Sequence, residues 1–178
     1  MGKQSLDRDE LLALLGAAKA KRERDWLMIL LAFNHGLRAS EVVGLTADNF
    51  HNGRLIVQRL KGSLETSQPL VEHANPLLNE KKSVFAFLAR ATGKQKLFRI
   101  TRERFWQLLQ EHGKAAGLHK SKRHPHILKH SIAMQTIDKA GIQNVRQHLG
   151  HKSISSTGEY LRVTDEAASA AIRSALQA

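Results

Sequence analysis

The sequence predicts a mainly helical domain with one small antiparallel β-hairpin or three-stranded sheet. Three observations predict it. Apolar residues recur at helical spacing through most of the 178 residues, and Gly or Pro punctuates the runs. Only one stretch, residues 54–72, reads as two strands around a turn signal. Hydrophobic residues make up 42% of the chain, enough for an ordinary core, and no cysteine is present to staple it. With no Gly/Ser linker, repeat or low-complexity tail, residues 1–178 are expected to form a single domain.

Residues 5–20 are amphipathic: Asp7 and Glu10 have capping-box spacing, and Leu11, Leu12, Leu14 and Leu15 form the apolar face. Residues 25–35 form a second helix with little polar surface, from Trp26 to Phe33, ended by Gly36. After a short apolar stretch around Val42 and Val43, residues 54–59 and 66–72 are expected to be strands. The turn between them, residues 60–65, places Lys61 near the tip. Pro76 is expected to open a helix over 76–91, and Leu97–Phe98 to be briefly extended. Thr101 caps a helix over 101–116 that turns Phe105, Trp106, Leu108 and Leu109 inward. A basic loop, 120–124, leads through Pro125 to a helix over 126–140. Shorter helices follow over 143–149 and over 153–161, the second carrying Tyr160. An Ala-rich helix over 164–176, with Asp165 and Glu166 in its first turn, completes about eight helices.

Charge is the most informative total. Lys and Arg number 28 against 16 acids, a formal excess of 12. Such an excess points to a polyanion, and nucleic acid is the commonest one in a cell. The excess is local: residues 112–152 hold eight Lys/Arg, seven His and a single acid, Asp138. The N-terminus has no apolar signal core and no run approaches a membrane span, so a cytoplasmic, DNA-associated protein is expected.

Individual residues sharpen this. Arg38 follows an apolar helix and needs an anion, either Glu41 three residues on or a bound phosphate. The histidines admit three roles. His126 and His130 lie four apart, and His148 and His151 three apart, spacings that suit a metal. A dication beside so much positive charge is disfavoured, and no metal is expected. Singly, each His is most simply structural. Together with Lys and Arg they suit a phosphate pocket, in which His also moves a proton. Tyr160, the only tyrosine, is then a candidate nucleophile, because a basic pocket favours the phenolate.

Five motifs now stand in order: Gly36-Leu37-Arg38-Ala39-Ser40-Glu41; Lys61-Gly62, with Pro69-Leu70 closing the hairpin; His126-Ile127-Leu128-Lys129-His130-Ser131; Leu149-Gly150-His151; and Tyr160, nine residues after His151. In this order and spacing the chain resembles the catalytic domain of the tyrosine recombinase (phage integrase) family, from about residue 5 to 163. The resemblance implies that family's fold. It implies a site-specific recombinase that attacks a DNA phosphodiester through Tyr160, leaving a 3′-phosphotyrosyl bond and a 5′-hydroxyl. Lys61 would be the general acid. Arg38, Lys129 and His151 would stabilise the transition state, and His126 would position or deprotonate Tyr160. Bond energy stays in the covalent link, so no cofactor is expected. Double-stranded DNA is the expected partner, met by Arg59, Lys120, Lys122, Arg123, His124 and Lys152. A homo-tetramer on DNA and a monomer in its absence are implied. Lys129 departs from the pattern, which has an arginine there; the charge is kept but the bidentate fork is lost. The resemblance begins almost at residue 1, so the family's N-terminal core-binding domain is expected to be absent. The same chemistry without synapsis would give type IB topoisomerase-like relaxation. Without competent chemistry, the fold would serve as a DNA-binding regulator.

Overall fold

The computed structural model describes residues 5–59, 64–91, 93–153, 155–158 and 172–173. Its centre is α2, Glu23–Asn34, in which Trp26 to Leu31 are all fully buried. A helix apolar on every side must be surrounded. Helix α1, Arg8–Lys21, covers one flank with Leu11, Leu14, Leu15 and Ala18. The expected capping box is present: Asp7 Oδ1 accepts from Glu10 N at 2.8 Å, and Glu10 Oε2 accepts from Asp7 N at 2.9 Å. Helix α6, Pro125–Ala140, packs on α2 from another side. Just ahead of α1, Leu6 is pinned to α6, its N–H donating to buried Ser131 Oγ at 2.7 Å.

The chain leaves α2 through Gly36 into a short helix, α3, Ala39–Gly44. This element escapes a periodicity reading because six residues give fewer than two turns. A three-stranded antiparallel sheet follows in the order β1 (Phe50–His51), β2 (Arg54–Val57), β3 (Thr66–Pro69). Leu55 pairs with Gln68 and Val57 with Thr66. Strand β2 turns Leu55 and Val57 inward, as alternation requires. Strand β3 turns Thr66 and Gln68 inward instead, and buried polar side chains need partners. Both strands are shorter than expected, and residues 60–63, including Lys61, lie outside the described residues.

Helix α4, Lys81–Leu88, starts later than Pro76 implied. Asn75 captures the start of that segment in a turn, its Oδ1 accepting from Leu77 N at 2.9 Å and its carbonyl from Leu78 N at 3.0 Å. Glu80 and Lys81 donate their N–H groups back to Val71 O, and the helix begins only there. An isolated bridge joins Thr46 to Lys96, while Leu97 and Phe98, expected to be extended, form a bend. Helix α5, Arg102–Ala115, is capped by Thr101, whose hydroxyl accepts from Arg104 N at 3.1 Å. Phe105, Leu108 and Leu109 are buried, but Trp106 is 48% exposed, against expectation. The buried face of α5 runs 105-108-109-112, and position 106 falls beside it.

After a 3-10 turn over Lys120–Lys122, α6 and α7 (Ile142–His148) form a second apolar cluster of Ala133, Ile137, Val145 and Leu149. A further short helix, α8, spans Ser155–Gly158. Tyr160 and the terminal helix expected over 164–176 lie outside the described residues, apart from Ile172 and Arg173, which are helical. Among the described residues no helix is long and apolar enough to cross a membrane.

Candidate active site

One buried carboxylate organises the site. Glu41 caps α3, its Oε2 accepting from Arg38 N at 2.7 Å. The same carboxylate takes the Arg38 guanidinium at 3.3 Å and the Arg59 guanidinium at 3.2 Å. Arg38 therefore does pair with Glu41, yet its side chain keeps 28% exposure and lines a cleft of about 980 Å³. The starts of three helices form the cleft walls: Leu37 to Ser40 at α3, Arg102, Glu103 and Trp106 at α5, and His124 to His126 at α6. The positive dipole ends of the long helices α5 and α6 thus face the same space, which favours an anion.

Lys129 lies on the inward face of α6, 5% exposed, with its ammonium donating to Leu149 O at 3.0 Å. Burial first, then repulsion from Arg38 and Arg59, pushes its pKa down to about 7, with Glu41 opposing. His151 follows α7. Its Nδ1 lies 3.0 Å from Thr157 Oγ1, which fixes the ring. Its pKa falls to about 4, through burial and then Lys129, Arg38, Arg59 and His130, so it is neutral at physiological pH. His148 is also held below the ordinary range, chiefly by burial, and its Nε2 meets Asn34 O at 2.8 Å. Nε2–H is therefore the donor there. His126 is exposed on the cleft, and its ring stacks on His130 with centroids 5.9 Å apart.

The structure brings Arg38, Lys129 and His151 into one electrostatic cluster, with His126 at the mouth of the cleft. Lys129 and His151 are not among the cleft walls; their charge coupling to Arg38 ties them to it. Lys61 and Tyr160 lie outside the described residues.

The six residues expected to face DNA divide. Lys120 and Lys152 are exposed and His124 lines the cleft. Lys122 is held by both oxygens of Glu10 at 2.7 Å, and the Arg123 guanidinium donates to Leu118 O, at 2.8 Å from Nε. Arg59 is the clearest correction: it is 3% exposed and every guanidinium nitrogen donates inside the fold, so it is not a surface contact. A second buried network was not legible in the sequence. His35 places one ring nitrogen 2.7 Å from Gln68 Oε1 and the other 2.6 Å from Glu80 Oε1, and Gln68 in turn donates to His148 O at 2.7 Å. Inward-facing Gln68 on a strand was its one available signal.

Residues 4–167 match the sequence profile of the phage integrase family. The chain belongs to the phage integrase family. Among its relatives, the tyrosine recombinase XerA of Pyrococcus furiosus is 34% identical over 174 residues, covering 90% of this chain and 58% of that protein. Tyrosine recombinase XerD of Haemophilus ducreyi is 30% identical over 177 residues, with the same two coverages of 90% and 58%. The chain thus spans little more than half the length of these curated relatives. Solved structures agree on the fold. A crystal structure of XerA recombinase superposes with a TM-score of 0.77 at 22% identity, over 98% of this chain and 65% of that one. A lambda integrase dimer bound to a COC′ core site gives 0.72 at 20% identity, over 88% and 47%. The mainly helical fold with a small antiparallel sheet is therefore that of the phage integrase catalytic domains.

Proposed function

We propose that this chain is the catalytic domain of a site-specific recombinase that cuts and rejoins duplex DNA through Tyr160. The observation that carries this is the convergence of Arg38, Arg59 and Lys129 on buried Glu41, with His151 beside those basic groups. Arg38, Arg59 and Lys129 gather around buried Glu41, and the basic donors on the cleft side of this cluster suit a phosphodiester. The Tyr160 oxygen attacks phosphorus, and the bond from phosphorus to the 5′-oxygen breaks. Lys61 gives that oxygen its proton. Arg38 and Lys129 donate to the non-bridging oxygens, and neutral His151 donates a ring N–H to the same group. His126, exposed at the cleft, positions or deprotonates Tyr160. Each such donor contributes on the order of 2–4 kcal/mol to the transition state in other enzymes. Religation reverses the steps with a new 5′-hydroxyl, so no external energy source or cofactor enters. Residues 1–178 act as one catalytic unit on double-stranded DNA, and four copies assemble there.

A duplex with a nick beside the cut site tests this, because the freed fragment diffuses away and traps the covalent form. A denaturation-resistant protein–DNA adduct is expected, absent in Tyr160→Phe. DNA binding without any adduct would overturn the enzymatic assignment.

A further inference from the structure

Arg59 is a buried cation at the end of a hairpin strand, where a surface residue would have sufficed. Its five N–H donors all have acceptors. Nε donates to Thr66 Oγ1 at 2.9 Å. One terminal nitrogen reaches Gly36 O and Glu41 Oε2, both at 3.2 Å. The other reaches His35 O at 2.7 Å and His148 O at 3.2 Å. These acceptors belong to the end of α2, to α3, to β3 and to the end of α7, the elements that carry Arg38, the hairpin and His151. Lys129 bonds Leu149 O, the carbonyl next to the one Arg59 takes. Two cations from distant parts of the chain therefore hold consecutive carbonyls. Gly150 closes the contact: a Cβ there would stand 2.7 Å from Arg59 Cγ.

We propose that Arg59 is a positioning residue of the phosphate pocket: its fully engaged guanidinium fork holds, from inside the fold, the corner on which Arg38, Lys129 and His151 stand, and its charge acts on Lys129. This rests on the recombinase function proposed above. Fully engaged and 3% exposed, Arg59 does not touch DNA. It holds Glu41, and so Arg38, in place, and it fixes the corner from which Lys129 and His151 act. The groups that bear on Lys129 are Arg38 and Glu41 at α3, Arg59 after β2, and His148 and His151 around the end of α7, with His130, the next residue on its own helix, acting on His151. Lys61 and Tyr160 lie outside the described residues. Removing the Arg59 charge relieves repulsion on Lys129 and releases a Glu41 oxygen towards it. Both changes favour the protonated amine. The depressed Lys129 pKa, with Arg59 among its causes, agrees with this arrangement.

The test follows Lys129 itself. Side-chain NMR of lysine-labelled protein, with the Lys129 signal identified by its loss in Lys129→Arg, gives the titration midpoint. Arg59→Met is expected to raise that midpoint by about one pH unit, and an unchanged midpoint overturns the proposal. Should Arg59→Met fail to fold by circular dichroism, Arg59→Lys carries the test, because it keeps the charge and loses the fork. Arg59→Lys is expected to leave the midpoint near the wild-type value while slowing adduct formation roughly tenfold. An Arg59→Lys protein that forms the adduct as fast as the wild type overturns the proposal. Were the wild type to form no adduct on any nicked duplex, the recombinase assignment would fall, while the NMR midpoints would still decide whether Arg59 governs Lys129.

Discussion

Replacing Gly150 by Ala probes the site through its most crowded backbone position. Two costs add. Gly150 has φ of +67°, where an L side chain costs about 1–2 kcal/mol. The new Cβ would also stand 2.7 Å from Arg59 Cγ and 3.0 Å from the Leu64 carbonyl oxygen. Arg59 cannot swing aside without leaving its carbonyl and carboxylate acceptors, and overpacking of this kind costs about 1–3 kcal/mol. The sum is roughly 2–5 kcal/mol, a large share of the 5–15 typical of a domain. Gly117→Ala is the control: φ is +71° there and nothing lies within 4 Å of the added Cβ. It carries the conformational cost alone. Thermal unfolding, at about 2–4 °C per kcal/mol for a domain of this size, should place Gly150→Ala well below Gly117→Ala, and only Gly150→Ala should also lose adduct formation beyond its loss of stability. Equal melting temperatures for the two variants would refute the crowding at Arg59.

Stability should rise with pH above neutrality. Lys129 binds its proton with a pKa of about 7 when folded against an ordinary 10.5, so between these values the unfolded chain holds more protons and alkali favours the fold. The slope from this residue is at most about 1.4 kcal/mol per pH unit, and denaturant titrations of Lys129→Met should lack it. Ser131→Ala removes a hydroxyl that accepts from Leu6 N and donates to Ile127 O, both at 2.7 Å. With a buried N–H left unpaired, a loss of about 1–3 kcal/mol is expected in the same measurement. Lys120→Ala should weaken duplex binding and lower the salt dependence by about one counterion. Lys122→Ala, which breaks only the link to Glu10, should leave that dependence unchanged in anisotropy titrations.

The motifs were legible because each is local: Gly36 to Glu41, the His126 to Ser131 box, and Leu149 to His151 are short runs whose spacing survives in one dimension. What the sequence hides is which side of an element a residue takes. Arg59 reads as a hairpin cation because nothing nearby in the chain says that His35, Gly36 and His148 will present carbonyls to it. Lys122 and Arg123 read as DNA contacts because Glu10 and Leu118 meet them only after folding. Trp106 was misassigned by one helical step. Pro76 signalled a helix start that Asn75 overrode through a side-chain turn, a competition that local propensity does not settle.

The end of α7 has a consequence for how this protein comes into being. Its last carbonyls are claimed by Arg59 and Gln68, 89 and 80 residues away in the chain, and by Lys129, 20 residues away. Closing such long loops is entropically slow, and contacts of this kind form late on the way to the native state. The negative pole of that helix stays unneutralised until the hairpin and α6 have both arrived. A nascent or partly folded chain therefore holds the residues of the pocket without the pocket, which is complete only with the last docking step.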